Sequence, residues 1–548
     1  MLKKILFNSL LILILFFSGC EDFYNFEAKK LNKKAQELIE KSLIINDTDE
    51  KVIFLSSALK KIEKIQKKYP KTKIARLHRK EKKINNLNLN IEELKKISKK
   101  QKIKKERNAN LDEIKKNIDL ANMEFRNGDK LKSSINLLNA AELSIYQIGD
   151  TRTKSRLSNE ISKIRIFLND REKAFQNLLL SEKYIDEIYT DLPKKIKNLT
   201  KVYKMFHELN KENKKKEIEK KIYLIINNEI SNNDNKAVAF LEVAKTNLLI
   251  ENTYKVKEDL KKASELSEKS NTYLDIAKIL YKINDIKEFN VMLNKAKTTA
   301  KSKDQEFWIV RELINIAIFE KSIELNNESI KTLMDAKKYL LKKLDQRIFS
   351  ELIGAFAKIN NIDQAKELLD LMEPGYEKSM AMSFIGKELG INKNLTEMEY
   401  FLNAALKTAP DLIGGKYALG LPGFSTKGRV YMEVAKTYAL TENFKKSYKL
   451  LGLIESDRFY KEGISDVIII QSQKDKDGAK KLVLKMLEQG GKIVDNKFIG
   501  ILAYAQAISG DIENALNTTK KMNVGFDFSQ ALINIANQIS LQRASPLT

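Results

Sequence analysis

Cysteine is nearly missing from this chain: Cys20 is the only one in 548 residues, so no disulfide can form within it. Histidine is nearly missing too. His78 and His207 are the only two and lie far apart, which leaves no Cys/His cluster to hold a metal and no Ser-His-acid triad that stands out. Only 6 prolines, 20 glycines and 1 tryptophan occur, a poverty that argues against sheets and disorder and for long helices joined by short turns. A glycine-rich phosphate loop is also absent, since Gly414-Gly415 is not followed by Gly-Lys-Ser/Thr. Carboxylates are plentiful, but none sits in a recognisable motif. No catalytic residue, cofactor or metal is therefore assigned, and a binding protein is expected in place of an enzyme.

What the chain has in excess is positive charge. Lysine and arginine number 99 against 73 acids, a formal net charge of +26. That balance favours anionic partners: lipid head groups, acidic glycans, acidic proteins or nucleic acid. The chain opens with Lys3 and Lys4, then an apolar run from Ile5 to Phe17 interrupted only by Asn8 and Ser9, then Ser18, Gly19 and Cys20. A charged start, a short apolar run and small residues before a cut make a secretion signal. The run is about 13 residues, short of the ~20 that a membrane helix needs.

With a cysteine first after the cut, this start resembles the bacterial lipoprotein signal, departing at Phe17, where that family most often has leucine. The resemblance implies cleavage before Cys20, a diacylglycerol on its sulfur and usually a third acyl chain, such as palmitate, on the new amino terminus. Two or three chains hold firmly, at about 0.8 kcal/mol per buried methylene. The expected location is the bacterial cell envelope, anchored to the outer membrane facing the periplasm or to the outer face of the inner membrane. Export argues against a nucleic-acid partner.

From residue 35 onward, apolar residues recur at three- and four-residue spacing, broken by Asn, Asp and Gly turns, as successive amphipathic helices require. A longer period lies on top. Ala121 is followed by Ser133 twelve residues on and Ala140 nineteen on, with Asn127-Gly128-Asp129 between. Ala317, Ser329 and Ala336 repeat the spacing, as do Ala435, Ser447 and Ile454, and Ala503, Ala515 and Met522. Small residues at the first two positions let two antiparallel helices approach closely, and the third faces the next unit. The register is poor around Tyr203 and over 376–409. This +12 and +19 spacing with a turn near +7 resembles the tetratricopeptide repeat. The resemblance implies an all-α superhelix, a solenoid of roughly ten to thirteen stacked hairpins. Ala58, Ile65 and Pro70 look like the opening repeats of lipoproteins that assist outer-membrane assembly.

Two stretches break the pattern. Residues 71–107 carry 15 Lys/Arg against 4 acids, with Leu87, Ile91, Leu94 and Ile97 as an apolar stripe, and read as a basic helix able to lie on anionic lipid or simply to face solvent. Residues 410–428 hold five glycines and two prolines and read as a non-helical loop. The expected organisation is a cleaved signal at 1–19, a tether at 20–34, repeats at 35–230 including 71–107, repeats at 231–409, the loop, and repeats at 429–548. The last helix is expected to stand unpaired as a cap, with the array extending away from its anchor.

In the tetratricopeptide family, ligand contacts often come from the residue just after the small anchor and from others three to five positions on. Carried over, that gives Lys163, Lys204, Lys245, Lys278 and Lys436, with Arg126 and Lys282 five residues after theirs. Such a ladder suits an acidic peptide or an anionic glycan. The expected function is a lipid-anchored scaffold or assembly factor that binds an envelope protein. Capture of anionic glycan or peptidoglycan is the alternative, and a hydrolase with an unrecognised carboxylate site comes third. The Cys20-Glu-Asp-Phe start superficially resembles glycan-capturing lipoproteins, but the low Trp, Pro and Gly content departs from them.

Overall fold

The computed structural model describes residues 24–42, 44, 48–72, 74–76, 110–188, 191–340, 345–409, 425–488 and 495–544. Cys20, nearly all of the basic segment 71–107 and residues 410–424 of the Gly/Pro stretch lie outside the described residues. Among those described there is no β-strand, and no helix is long and apolar enough to cross a membrane. The chain divides into two compact units, Met1–Glu113 and Ile114–Thr548. Within the second unit one stack of helices runs through residues 230 and 409.

In the first unit, α1 (24–42) and α2 (Thr48–Lys68) pack through Ala35, Ile39, Leu55, Ala58 and Ile62. Pro70, which cannot continue a helix, follows the end of α2. A second small core joins Ala28, Ile65 and Ala75.

The second unit is built from helical hairpins. After α3 (110–126) and α4 (Lys130–Ile145) come ten first-and-second helix pairs. They are α5 (Thr151–Phe167) with α6 (Arg171–Asp186), α7 (Leu192–Glu208) with α8 (Glu212–Leu224), α9 (Asn233–Leu249) with α10 (Thr253–Leu266), and α11 (Ser270–Lys282) with α12 (Ile286–Lys301). Then follow α13 (Glu306–Ser322) with α14 (Asn326–Leu340), α15 (Gln346–Lys358) with α16 (Ile362–Asp370), and α17 (Tyr376–Ile391) with α18 (Leu395–Thr408). The last pairs are α19 (Thr426–Leu440) with α20 (Phe444–Leu451), α21 (Asp457–Lys474) with α22 (Lys476–Glu488), and α23 (Asn496–Ile508) with α24 (Ile512–Thr519), before a single α25 (Phe526–Ala544). The expected loop ends sooner than 428: Ser425 accepts from the Gly428 amide as a cap, and Thr426, Lys427 and Gly428 are already helix.

The expected spacing is carried by hydrogen bonds. Ser133, Ser329 and Ser447 each donate at 2.8 Å to the carbonyl of the residue twelve before, Ala121, Ala317 and Ala435. A second rung lies one turn further on, where Asn247 meets Asp259, Thr332 meets Glu320 and Thr518 meets Gln506, again twelve apart. The turn is just as regular. Gly128, Asn169, Asn210, Glu251, Asn284, Glu324, Asn360, Lys393, Glu442 and Gly510 all have positive φ between 58° and 87°. Each lies seven residues after an anchor, where the left-handed residue ends the first helix. The next residue then caps the second helix, as Asp129, Asn252, Asn361 and Asn443 do by accepting from an amide three residues ahead. Counting back from Lys393 places an anchor at Gly386 and so recovers the register of 376–409. The hairpin after Val467 is the exception: α21 runs on to Lys474 and ends without a left-handed residue.

The stack closes on itself. From α5 to α25 each first helix packs on the next first helix, and α25 packs on α5. α25 also packs along α4 as intimately as any first helix packs on its own second helix. It is not an unpaired cap, as the sequence suggested, and the array does not end in a free edge there: α4 supplies the second helix that α25 lacks. One core runs through Ile118, Leu138, Ile145, Ile161, Leu532, Ala536 and Ile539.

First helices touch one another around the ring, whereas successive second helices do not come into backbone contact, so the first helices form the inner layer. The outer gaps are spanned by long lysines. Lys221 reaches Asp186 at 2.6 Å, Lys301 reaches Asp335 at 2.6 Å, Lys337 reaches Glu367 at 2.7 Å and Lys446 reaches Glu399 at 2.6 Å, each pair joining neighbouring second helices. Much of the lysine content thus has a structural role, at about 0–1 kcal/mol for each such pair.

Candidate functional site

Each first helix shows one narrow strip to the inside, at positions six and two before its anchor and one and five after it. On α13 these are Arg311, Asn315, Ile318 and Ser322, with Trp308 one turn earlier, and all are exposed or half-buried. This spacing keeps one face of a helix in view.

Six of the seven expected cations lie on the ring's first helices at the strip positions, whereas Arg126 lies on α3, outside that ring; most of the seven are not free. Lys245 pairs with Glu242 at 3.0 Å and with Asp275 of the next hairpin at 3.3 Å. Burial disfavours its charge, but Asp275 and Glu242 outweigh that and hold its pKa above the usual lysine value. Lys278 pairs with the same Asp275 at 2.9 Å. Lys436 reaches Asp466 at 2.6 Å, Lys204 reaches Glu208 at 3.3 Å, and Arg126 pairs with Glu513. Among the described residues only Lys163 and Lys282 of the seven make no ion pair. A continuous ladder of open positive charge is therefore corrected to an alternation of acid and base. The signal that could have found it lies three residues upstream of the lysines, in Glu242, Asp275 and Glu433.

The ring's inner layer is not uniform. Between α11 and α13 the first helices splay, leaving a cleft of about 890 Å³. Leu274, Tyr281, Ile318 and Phe319 give it an apolar wall; Asp275, Lys278 and Lys282 line its polar side. Lys278 also lies over the Phe319 ring, 5.8 Å from its centre.

About two turns nearer the start of α13 stands an aromatic cluster. Phe307 and Trp308 meet edge-on with ring centres 5.0 Å apart. The Arg347 guanidinium lies 4.4 Å from the Phe307 centre and that of Arg311 5.3 Å from it. Arg311 is held by Glu351 at 2.8 Å. Trp308 is 46% exposed, so much of its indole faces outward with no core to fill. Neither aromatic nor arginine entered the sequence reading, which followed only the residues at one and five after each anchor.

Among the described residues no cluster of His, Cys, Asp or Glu is arranged to hold a metal. The buried carboxylate with a clearly raised pKa is Asp259, which burial pushes up to about 6 against the hydrogen bonds it accepts from Tyr223 at 2.9 Å and Asn247 at 2.9 Å. It lies 1% exposed inside a hairpin, out of reach of a substrate.

No family model matches the chain, and no curated protein matches it. Among solved structures it is similar to a signal-transduction ATPase with a tetratricopeptide repeat sensor from Pyrococcus horikoshii, at 12% identity and a TM-score of 0.25 over 74% of this chain and 71% of that one. A monomeric IFIT1 mutant gives 14% identity and a TM-score of 0.24 over 69% and 98% of the two chains. A circular tandem repeat protein gives 11% and 0.15 over 95% and 100%. Scores this low carry no argument. The fold, an all-helical solenoid of tetratricopeptide-like hairpins, rests on this chain's own spacing, turns and helix pairing.

Proposed function

We propose that this chain is a lipid-anchored envelope scaffold whose first-helix strips bind a protein partner. The observation that carries the binding is the α11–α13 cleft with its neighbouring Phe307–Trp308–Arg311–Arg347 cluster. Tryptophan, tyrosine and arginine dominate binding hot spots, because they bury large area and keep a polar handle. A cleft with an apolar wall and charges of both signs suits a protein segment better than a highly charged glycan, because Asp275 already pairs with Lys278 and Lys282 alone of its two lysines is left to meet an anion. Anchoring through acylated Cys20 and placement in the envelope rest on the order of residues 1–20.

The test is capture from detergent-solubilised envelope after crosslinking. One protein in stoichiometric amount is expected with the natural chain and not with a Trp308→Ala, Phe319→Ala double variant. Equal recovery by both would place the partner elsewhere, and salt-sensitive sedimentation with purified peptidoglycan in place of protein capture would replace the reading. With the signal removed, Cys20→Ser should leave the protein in the soluble fraction; retention on membranes would remove the acyl anchor from it.

A further inference from the structure

Eleven hairpins of the second unit, α3–α4 among them, are each held by a covalent turn, but the pairing that closes the ring is not. Its first helix is α25 and its second is α4, more than 380 residues apart along the chain. Its contacts are nevertheless those of a hairpin. Ser134 donates to the Ala536 carbonyl at 3.2 Å, and the Ser144 and Ser529 hydroxyls lie 2.6 Å apart. Around them, Gln530 donates to Glu160 at 2.8 Å, Lys520 pairs with Asp119 at 2.7 Å, and Arg156 lies over Phe526 at 4.8 Å.

Two features set this seam apart from every other closure in the ring. Joining its sides closes a loop of almost the whole unit, an entropy cost that no turn-linked hairpin bears to the same degree. And α4 keeps a partner when α25 leaves, because α3 remains bound to it through the turn at Gly128 and the Ser133–Ala121 bond. Likewise α25 keeps α23 and α24. Opening here parts α25 from α4 and α5, with the pairs that flank them, and unfolds no hairpin. Parting any other two neighbouring hairpins in the ring would have to stretch the chain that joins them as well.

We propose that the α25–α4 seam is a clasp: it opens as a unit while the hairpins on both sides stay folded. The opening uncovers the inner strips from the side, which is where a partner would enter; the clasp itself does not depend on the proposed binding. The experiment uses the full chain carrying Cys20→Ser, so that one introduced thiol is the only one. Ser144 and Ser529 are buried at the seam, and Ser329 and Ser447 are buried inside turn-linked hairpins. Under native conditions S144C and S529C should react with a maleimide at matching rates, about tenfold or more faster than S329C and S447C. Equal protection at all four positions would overturn the clasp. If S529C fails to fold, S540C on the same helix, also buried, takes its place. Labelling needs no partner, so a failed capture experiment and a closed seam are told apart.

Discussion

Ser134 donates a 3.2 Å hydrogen bond to the carbonyl of Ala536, a residue 402 positions further on. The bond imitates the 2.8 Å Ser329–Ala317 and Ser447–Ala435 bonds, whose partners are twelve positions apart. Ala536 is an anchor like Ala317, with the same close approach to a second helix. Ser134 stands in the place that the twelfth residue takes in the others, and the small residues at both sites allow that approach.

Enlarging the anchor should therefore open the ring. Ala536→Leu puts three extra carbons into a site with no exposed surface. The expected cost is about 1–3 kcal/mol in urea unfolding, typical of an overpacked core. No change in midpoint would mean that the seam is loosely packed.

The left-handed turn residues are the cheapest route to stability. Glu324 holds φ at 65° on an exposed turn, a conformation that a side chain disfavours by roughly 1–2 kcal/mol. Glu324→Gly should raise stability by about 0.5–1 kcal/mol, since glycine's looser unfolded chain gives some of that back. Gly510→Ala, at φ 87°, should lower it. Thermal midpoints of the two variants moving in the same direction would contradict this account.

These turns also show how far the sequence can be read. The anchor, its twelfth residue and the Asn/Asp/Gly turn are local, so Ala317, Ser329 and the φ 66° of Asn360 follow from spacing alone. Tyr203 obscured one unit because a large ring stands at the small position, its hydroxyl turned to Asn247 at 3.3 Å. Gly386 obscured another, being followed within its own span by few of the expected small residues. Ring closure has no local pattern at all, since Ser134 and Ala536 carry no mark of each other. The same holds for the lysines: the partner of Lys245 is Asp275 on a different hairpin, visible only once the stack has formed.

Gly386 gives a direct test of its recovered register. A Cβ there would sit 2.6 Å from Leu402 Cδ2 and 2.9 Å from its Cγ, and Leu402 is fully buried. Gly386→Ala should destabilise by about 1–3 kcal/mol. Gly149→Ala, where a Cβ meets nothing within 4 Å, should be near neutral and serves as its control.

Trp308 separates binding from folding. Its indole is 46% exposed, meets the Phe307 ring edge-on and lies under the Arg311 guanidinium. Trp308→Ala should change stability by no more than about 0.5 kcal/mol, as surface substitutions do. Partner capture should nevertheless fall about tenfold or more. As the only tryptophan it also reports directly: in the natural chain its emission should shift to shorter wavelength as a partner covers it. An unmoved spectrum on binding would take the site away from this strip.

Asp259 makes the second unit sensitive to pH. Burial holds its carboxyl up to about 6, against an ordinary value of 3.8. Between those limits the folded chain keeps a proton that the unfolded chain has lost, so this group's contribution to stability is greatest below about pH 4 and falls as pH rises toward 6. The gap corresponds to about 3 kcal/mol at most. Asp259→Asn cannot ionise; its amide can still accept from Tyr223, provided that Asn247, now bonded to Tyr203, reorients. The variant should therefore gain on the natural chain by about 1–3 kcal/mol as urea unfolding is moved from pH 4 to pH 7.5. A stability difference that stays constant over that range would mean that Asp259 is ionised in the folded chain throughout, its charge carried by the Tyr223 and Asn247 hydrogen bonds.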